Sequence, residues 1–115
     1  MRISQVSDRT GLPISTLRYY ERRGILEPGR SPEGHRDYTE GDLAWIAFVQ
    51  RLLEIGMPLA QVEEYARLRR EGDSTVPQRL EMLYRQRREL EGRMRKVRTQ
   101  MDFIDRKIDI YRRML

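Results

Sequence analysis

The sequence predicts a mainly α-helical chain: a winged helix-turn-helix head followed by one long coiled-coil helix. Three observations carry this. Two short amphipathic segments meet at the turn "TGLP". A stretch rich in Pro and Gly, "PGRSPEG", separates two runs that suit short strands. From Val76 to Leu115 one heptad period runs throughout, apolar or aromatic at eleven of its twelve positions.

The first helix is expected from Ser4, as N-cap, to about Thr10, with Gly11 as its stop. Ile3, Val6 and Leu12 would face inward. The second helix runs from about Ile14 to Arg23 and ends at Gly24. Ile14, Leu17 and Tyr20 share one face, and Ser15, Thr16, Arg18, Tyr19 and Arg22 lie on the other. The adjacent tyrosines of "LRYYERRGIL" therefore divide, Tyr20 toward the core and Tyr19 toward solvent. Ile25 and Leu26 suit a strand, "PGRSPEG" the turn, and "HRDY" the return strand, which makes a wing carrying Arg30, His35 and Arg36.

Thr39 and Asp42 form a capping pair for a third helix. Its stripe is Leu43, Ile46, Val49, Leu52 and Leu53, helped by Trp45 and Phe48, and Gly56 ends it. A fourth helix follows in "MPLAQVEEYARLRREG", with Leu59, Val62, Tyr65, Ala66 and Leu68 inward. "GDSTVP" reads as a short linker. The expected domains are residues 1–72 for the head and 76–115 for the tail.

In the tail, Val76, Leu80, Leu83, Arg87, Leu90, Met94, Val97, Met101, Ile104, Ile108, Tyr111 and Leu115 alternate in steps of four and three. That is a heptad seam, and a seam needs a second helix to cover it. Leu83, Leu90, Met94, Val97, Met101, Ile104 and Ile108 are the candidate dimerisation residues. Arg87 interrupts the seam; it either fixes register or snorkels out. Gly92 on the outer face weakens the helix by about 1 kcal/mol relative to Ala. Phe103 and Ile110 widen the apolar face, as if to touch a second body.

Composition narrows the function. The net charge is +5, distributed as +2 over residues 1–39, −3 over 40–75 and +6 over 76–115. A basic balance favours a polyanionic partner, though a basic helix is also an ordinary solvated face. The absence of cysteine excludes disulfides, thiolate metal sites and thiol switches within these residues. With neither an apolar span nor a signal-like N-terminus, the chain is expected to be soluble and cytoplasmic, with no membrane role. No cofactor or metal site is expected. Catalysis lacks a constellation. There is one histidine, Glu63 and Glu64 point in different directions from their helix, and "EPGRSPEG" lacks the phosphate-loop pattern.

A helix with a polar, basic face, followed by a basic hairpin, fits double-stranded DNA. Near the N-terminus of the second helix, Ser15, Thr16 and Arg18 are placed to reach bases. Arg18 suits a guanine edge or a phosphate. Tyr19 offers a hydroxyl to phosphate and a ring to sugar or a thymine methyl, and Arg22 suits the backbone. On the wing, His35 and Arg36 suit phosphates or the minor groove, with Tyr38 included in the interface as their buttress. A coiled-coil adaptor whose head binds protein and an architectural DNA binder are the alternatives. The first predicts no salt-sensitive DNA affinity, and the second usually lacks a long dimer helix.

"ISQVSDRTGLPISTLRYYERRGIL" resembles the N-terminal helix-turn-helix of the MerR family of bacterial transcription regulators. "GHRDYTEGDLAWIAFVQRLLEIGMPLAQV" is similar to the family's wing, third helix and the start of its second wing. The resemblance implies a homodimer joined by an antiparallel coiled coil. It also implies binding to a palindromic promoter whose overlong spacer is bent and untwisted for RNA polymerase. "WIAFVQRLLEIGMPL" and "FIDRKIDIY" resemble a subgroup of short members, some of which sense aldehydes or electrophiles through a third-helix cysteine. Arg51 stands at that position here, so thiol sensing is not expected. The larger effector-binding domains of drug-sensing relatives and the cysteine ligands of metal-sensing ones are not expected either. The effector is left open.

Overall fold

A computed structural model describes residues 1–115. Its elements in order are α1 (Ile3–Thr10), α2 (Ile14–Arg22), β1 (Gly29–Arg30), β2 (Arg36–Asp37), α3 (Glu40–Glu54), α4 (Leu59–Glu71), a 3₁₀ turn (Asp73–Thr75) and α5 (Val76–Met114). The chain divides into two compact units, Met1–Leu80 and Glu81–Leu115.

In the first unit, α1 begins two residues earlier than the N-cap role of Ser4 predicts. Arg2 is the N-cap, and its backbone N–H donates to Gln5 Oε1 at 2.9 Å. Gln5 at N3 reaches back to the N-cap's own N–H, whereas an N-cap serine would accept from an N–H further along the first turn. Gly11, with φ of 73°, ends the helix, and its N–H donates to the Ser7 carbonyl. Pro13 then starts α2, where its lack of an N–H costs nothing because the first helical N–H groups have no partner.

The wing differs from expectation. Ile25 and Leu26 form no strand; they are buried at 1% and 3% exposure. Their N–H groups both donate to the Tyr20 carbonyl, closing the end of α2. The hairpin lies further along, pairing Gly29 with Asp37 and Arg30 with Arg36 in antiparallel register. Burial outweighed strand propensity, and the two apolar residues became core.

Thr39 caps α3 as expected: its hydroxyl accepts from Asp42 N–H at 3.1 Å, and Asp42 accepts from Thr39 N–H at 2.9 Å. The core collects Val6, Leu17, Ile25, Ile46, Val49 and Val62, all nearly inaccessible. Each such side chain contributes about 1.5–3 kcal/mol of burial. Trp45 stacks on Tyr65, with centroids 6.0 Å apart, and its indole N–H donates to the Ile25 carbonyl at 2.8 Å. Phe48 leans on both rings yet remains 36% exposed, so it rims the core more than it fills it. The "GDSTVP" stretch is more ordered than a linker. Thr75 is buried, and its hydroxyl bonds the Leu68 and Gly72 carbonyls.

The second unit is the continuation of α5. The whole helix has 39 residues, about 58 Å at about 1.5 Å each. No helix in the chain is long and apolar enough to cross a membrane.

Candidate nucleic-acid interface

The face begins with α2. Leu17 and Tyr20 are buried, and Tyr20 Oη accepts from Gln50 Nε2 at 3.2 Å, so the helix is held from its inner side. That fixes its rotation and sends Ser15, Arg18, Tyr19 and Arg22 to solvent, with Thr16 half-buried. The division of the two tyrosines is as the spacing predicts. Arg18 makes no hydrogen bond or ion pair within the chain. It is not held by Glu21, despite lying one turn away.

Tyr19 gathers cations. The Arg22 and Arg23 guanidinium carbons lie 5.8 and 5.7 Å from its ring centroid, and Arg23 Nη1 donates to its hydroxyl at 3.2 Å. Arg23 is further tied to Glu63 of α4, which raises the guanidinium's pKa chiefly through that hydrogen bond. The ring of Tyr19 is thus steadied from one side by an anchored arginine. Arg22 lies over the same ring.

The wing is joined to α2 through Glu21. Its carboxylate bonds Arg36 Nε at 2.5 Å and lies 4.0 Å from Arg30 Nη2. Glu21 raises the Arg36 pKa, first by the hydrogen bond and then by its charge. The sequence reading missed Glu21 as a hub, because its partners lie beyond the next helical turns. At the hairpin tip, Ser31 N–H donates to the His35 carbonyl at 2.7 Å, and Gly34, with φ of 85°, makes the reversal. His35 is exposed beside it.

Tyr38 requires correction. It is 2% exposed, and burial pushes its phenol pKa up. It supports the wing from inside and has no surface to offer a ligand, so it leaves the set of contact residues. Arg30, exposed on β1 opposite Arg36, belongs in that set. Its signal in the sequence was an arginine flanking the hairpin turn.

In sum the first unit presents Ser15, Arg18, Tyr19 and Arg22 on a helix, and Arg30, His35 and Arg36 on a hairpin tied to that helix. At the start of α2 the Thr16 and Leu17 N–H groups donate to the Pro13 carbonyl, which leaves the preceding N–H groups for an anion. Hydroxyls, an aromatic ring and guanidinium groups are the equipment for phosphate and base-edge contact. Arg51 is exposed on α3. On the tail helix, Leu90, Met94, Val97, Met101, Ile104 and Ile108 are all exposed, and Leu83 is half-buried.

Comparison with known proteins gives the following. Residues 1–68 match the model for the MerR HTH family regulatory protein, and residues 43–109 match that for MerR, DNA binding. The HTH-type transcriptional regulator AdhR of Bacillus subtilis (strain 168) is 42% identical over 91 residues, 78% of this chain and 65% of AdhR. The chain matches 48% of the length of two other curated relatives, YyaN of Bacillus subtilis (strain 168) and the mercuric resistance operon regulatory protein of Bacillus cereus. The crystal structure of HiNmlR, a MerR family regulator lacking the sensor domain, bound to promoter DNA, superposes with a TM-score of 0.80 at 26% identity, covering 97% of this chain and 90% of that one. A MerR family transcriptional regulator from Bacillus thuringiensis has a TM-score of 0.75 at 28% identity, over 94% of this chain and 96% of that one.

Proposed function

The chain belongs to the MerR family of helix-turn-helix regulatory proteins, and from that premise we propose that it is a transcriptional regulator that binds a palindromic promoter site as a homodimer. Residues 1–72 serve as the DNA-binding domain and 76–115 as the dimerisation helix. Arg18 reads bases or grips phosphate at the major groove. Ser15, Thr16 and Tyr19 assist it, Arg22 holds the backbone, and Arg30, His35 and Arg36 take the flanking phosphates or minor groove. Two heads joined by their tails place two such helices in successive major grooves. Bending and untwisting of the spacer then brings the promoter elements into line for RNA polymerase, and the protein acts in the bacterial cytoplasm.

The observation that carries this proposal is the pairing of Glu21 with Arg36 and Arg30. It ties the wing's two arginines to the helix that carries Arg18 and Arg22, on a head whose inner side is locked. A structural neighbour of 26% identity is bound to promoter DNA, which supports DNA as the ligand. Thiol sensing is not part of the proposal, since these residues include no cysteine.

The test is a mobility-shift titration of the full chain against its own promoter region and against unrelated duplex at several salt concentrations. Specific binding that weakens steeply with salt is expected, because neutralised phosphates release counterions. Binding that is absent, or that ignores salt, would favour a protein-binding head.

A further inference from the structure

Arg23, at the end of α2, spends its guanidinium within the head. Its Nε donates to the Glu63 carboxylate of α4, and its Nη1 donates to the Tyr19 hydroxyl at 3.2 Å. Its backbone N–H donates to the Tyr19 carbonyl at 3.0 Å. Arg23 thus holds Tyr19 by both main chain and hydroxyl. The hydroxyl belongs to a side chain that is 37% exposed on the reading face.

Glu63 stands on a fixed platform. Val62, Tyr65, Ala66 and Leu68 of α4 are buried, which sets the rotation of that helix. Glu63 and Arg70 are seven residues apart and share one of its faces. That face grips the end of α2 twice. Glu63 takes Arg23, and Arg70 Nη1 donates to the Gly24 carbonyl at 2.6 Å while its Nε lies 3.1 Å from the Glu27 carboxylate. The adjacent Glu64 pairs with Arg67 instead. At 42% and 27% exposure the Arg23–Glu63 pair is open to water, and exposed ion pairs contribute little to stability. Its larger consequence is for the hydroxyl that Arg23 also serves.

A phenol has one O–H to donate and lone pairs with which to accept. Arg23 occupies the accepting side. The O–H is left to point away from the guanidinium, and a cationic donor on its oxygen polarises it into a stronger donor. The ligand it suits is an acceptor. Beside a helix lying in a DNA groove the commonest acceptors are phosphate oxygens. Base amino groups, which donate, meet the same cation and are disfavoured. Without Glu63 the Arg23 guanidinium would be drawn to the nearest phosphate itself. The Tyr19 hydroxyl would then lose its fixed direction.

We propose that Glu63 of α4 is a positioning residue for DNA binding: by holding Arg23 it fixes the Tyr19 hydroxyl as a donor to one phosphodiester oxygen. The proposal rests on the DNA-binding reading above and assigns the work of one contact to an acid on a different helix. Two adjacent arginines thereby divide. Arg22 faces the DNA backbone, and Arg23 serves the tyrosine.

The test is an anisotropy titration of the full chain on a duplex of its own promoter region at one salt concentration. Tyr19→Phe removes only the hydroxyl and is expected to weaken binding about tenfold, as for one hydrogen bond to a charged group. Glu63→Gln is expected to weaken it by a similar factor, although it removes a negative charge. The double variant should bind as Tyr19→Phe does, because both changes break the same contact. Arg23→Lys keeps a cation beside Glu63 but offers one nitrogen where two are used, and should match Glu63→Gln. Parent-like binding by any of the three single variants overturns the proposal and leaves the DNA-binding reading standing. Tighter binding by Glu63→Gln does the same, since the carboxylate would then only repel DNA. Additive losses in the double variant also overturn it, because Glu63 would be acting apart from the hydroxyl.

A second measurement separates positioning from a loss of folded protein. Promoter duplexes are prepared with single phosphates replaced by neutral methylphosphonates. One linkage is expected to matter to the parent and to fall silent in Tyr19→Phe, and the same linkage should fall silent in Glu63→Gln. A parent-like pattern in Glu63→Gln overturns the proposal, whatever its overall affinity. An unaltered chain that binds no promoter duplex removes the DNA-binding reading and this assignment together.

Discussion

Glu21 on α2 and Arg36 on β2 lie fifteen residues apart in the chain and are joined by a 2.5 Å contact between carboxylate and guanidinium. The acid stands between the helix face and the wing. It orients Arg36, and it also offsets part of the positive charge that DNA would meet. Glu21→Gln is therefore expected to strengthen binding to unrelated duplex, steepen the salt dependence by about 0.9 per additional phosphate engaged, and narrow the preference for the operator. Titrations on operator and unrelated DNA check this. A salt slope and a preference both equal to the parent would show that Glu21 has no part in placing the wing.

Arg18 is exposed and has no ion partner within the chain. Arg18→Ala should cost about 1–3 kcal/mol of operator affinity if it contacts a base edge, and relax discrimination at one base position. Circular dichroism and mass should be unchanged, because no internal bond is lost. Equal weakening on every sequence would reassign Arg18 to phosphate.

Met101 and Ile104 are exposed on α5, at 59% and 52%. A carboxylate at either position would be buried without a partner on association, and that costs several kcal/mol. Met101→Glu and Ile104→Glu are expected to be monomeric by light scattering and to lose operator binding with it. A dimeric mass in both variants would place the dimer contact elsewhere.

Trp45 ties α3 to the buried segment that closes the end of α2 through its bond to the Ile25 carbonyl, and Arg69 lies 4.4 Å over its ring. Trp45→Phe keeps an aromatic ring but leaves that carbonyl unpaired, which should lower stability by about 1–3 kcal/mol. Urea unfolding measures it. A midpoint within error of the parent would mean that another group satisfies the Ile25 carbonyl.

Arg9 holds the Glu40 carboxyl below the usual carboxylate range, first by their hydrogen bond. A depressed folded pKa adds stability above the unfolded value and loses it as pH falls through the folded one. Thermal midpoints should therefore decline on acidification below about pH 4.3, and less so in Glu40→Gln. The pair is solvent-exposed, so the difference between the two curves is expected to be small. Parallel curves would show that the pair adds nothing.

Much of the helical framework was legible from local pattern. The stop at Gly11, the Thr39–Asp42 cap, the inward set on α4 and the outward set on α2 all depend on residues three or four apart, where one helical turn defines the neighbours. The seam of α5 is visible for the same reason, since a heptad repeats the same test along the helix. The wing was harder. Ile25 and Leu26 have the propensity of strand residues, and only the space beneath Trp45 and behind α2 decides that they are core.

The sequence by itself determined which segments are helices, which face of each is apolar, and that a basic helix face precedes a hairpin. The tertiary structure alone decided that Glu21 takes Arg36 instead of Arg18, that Arg23 is fixed to Glu63, and that Tyr38 lies inside. Helical periodicity is a short-range property, set by geometry that repeats every few residues. Those partners lie 15 and 40 residues apart, or in Tyr38's case depend on burial by several elements. Packing chooses among side chains whose local preferences are equal.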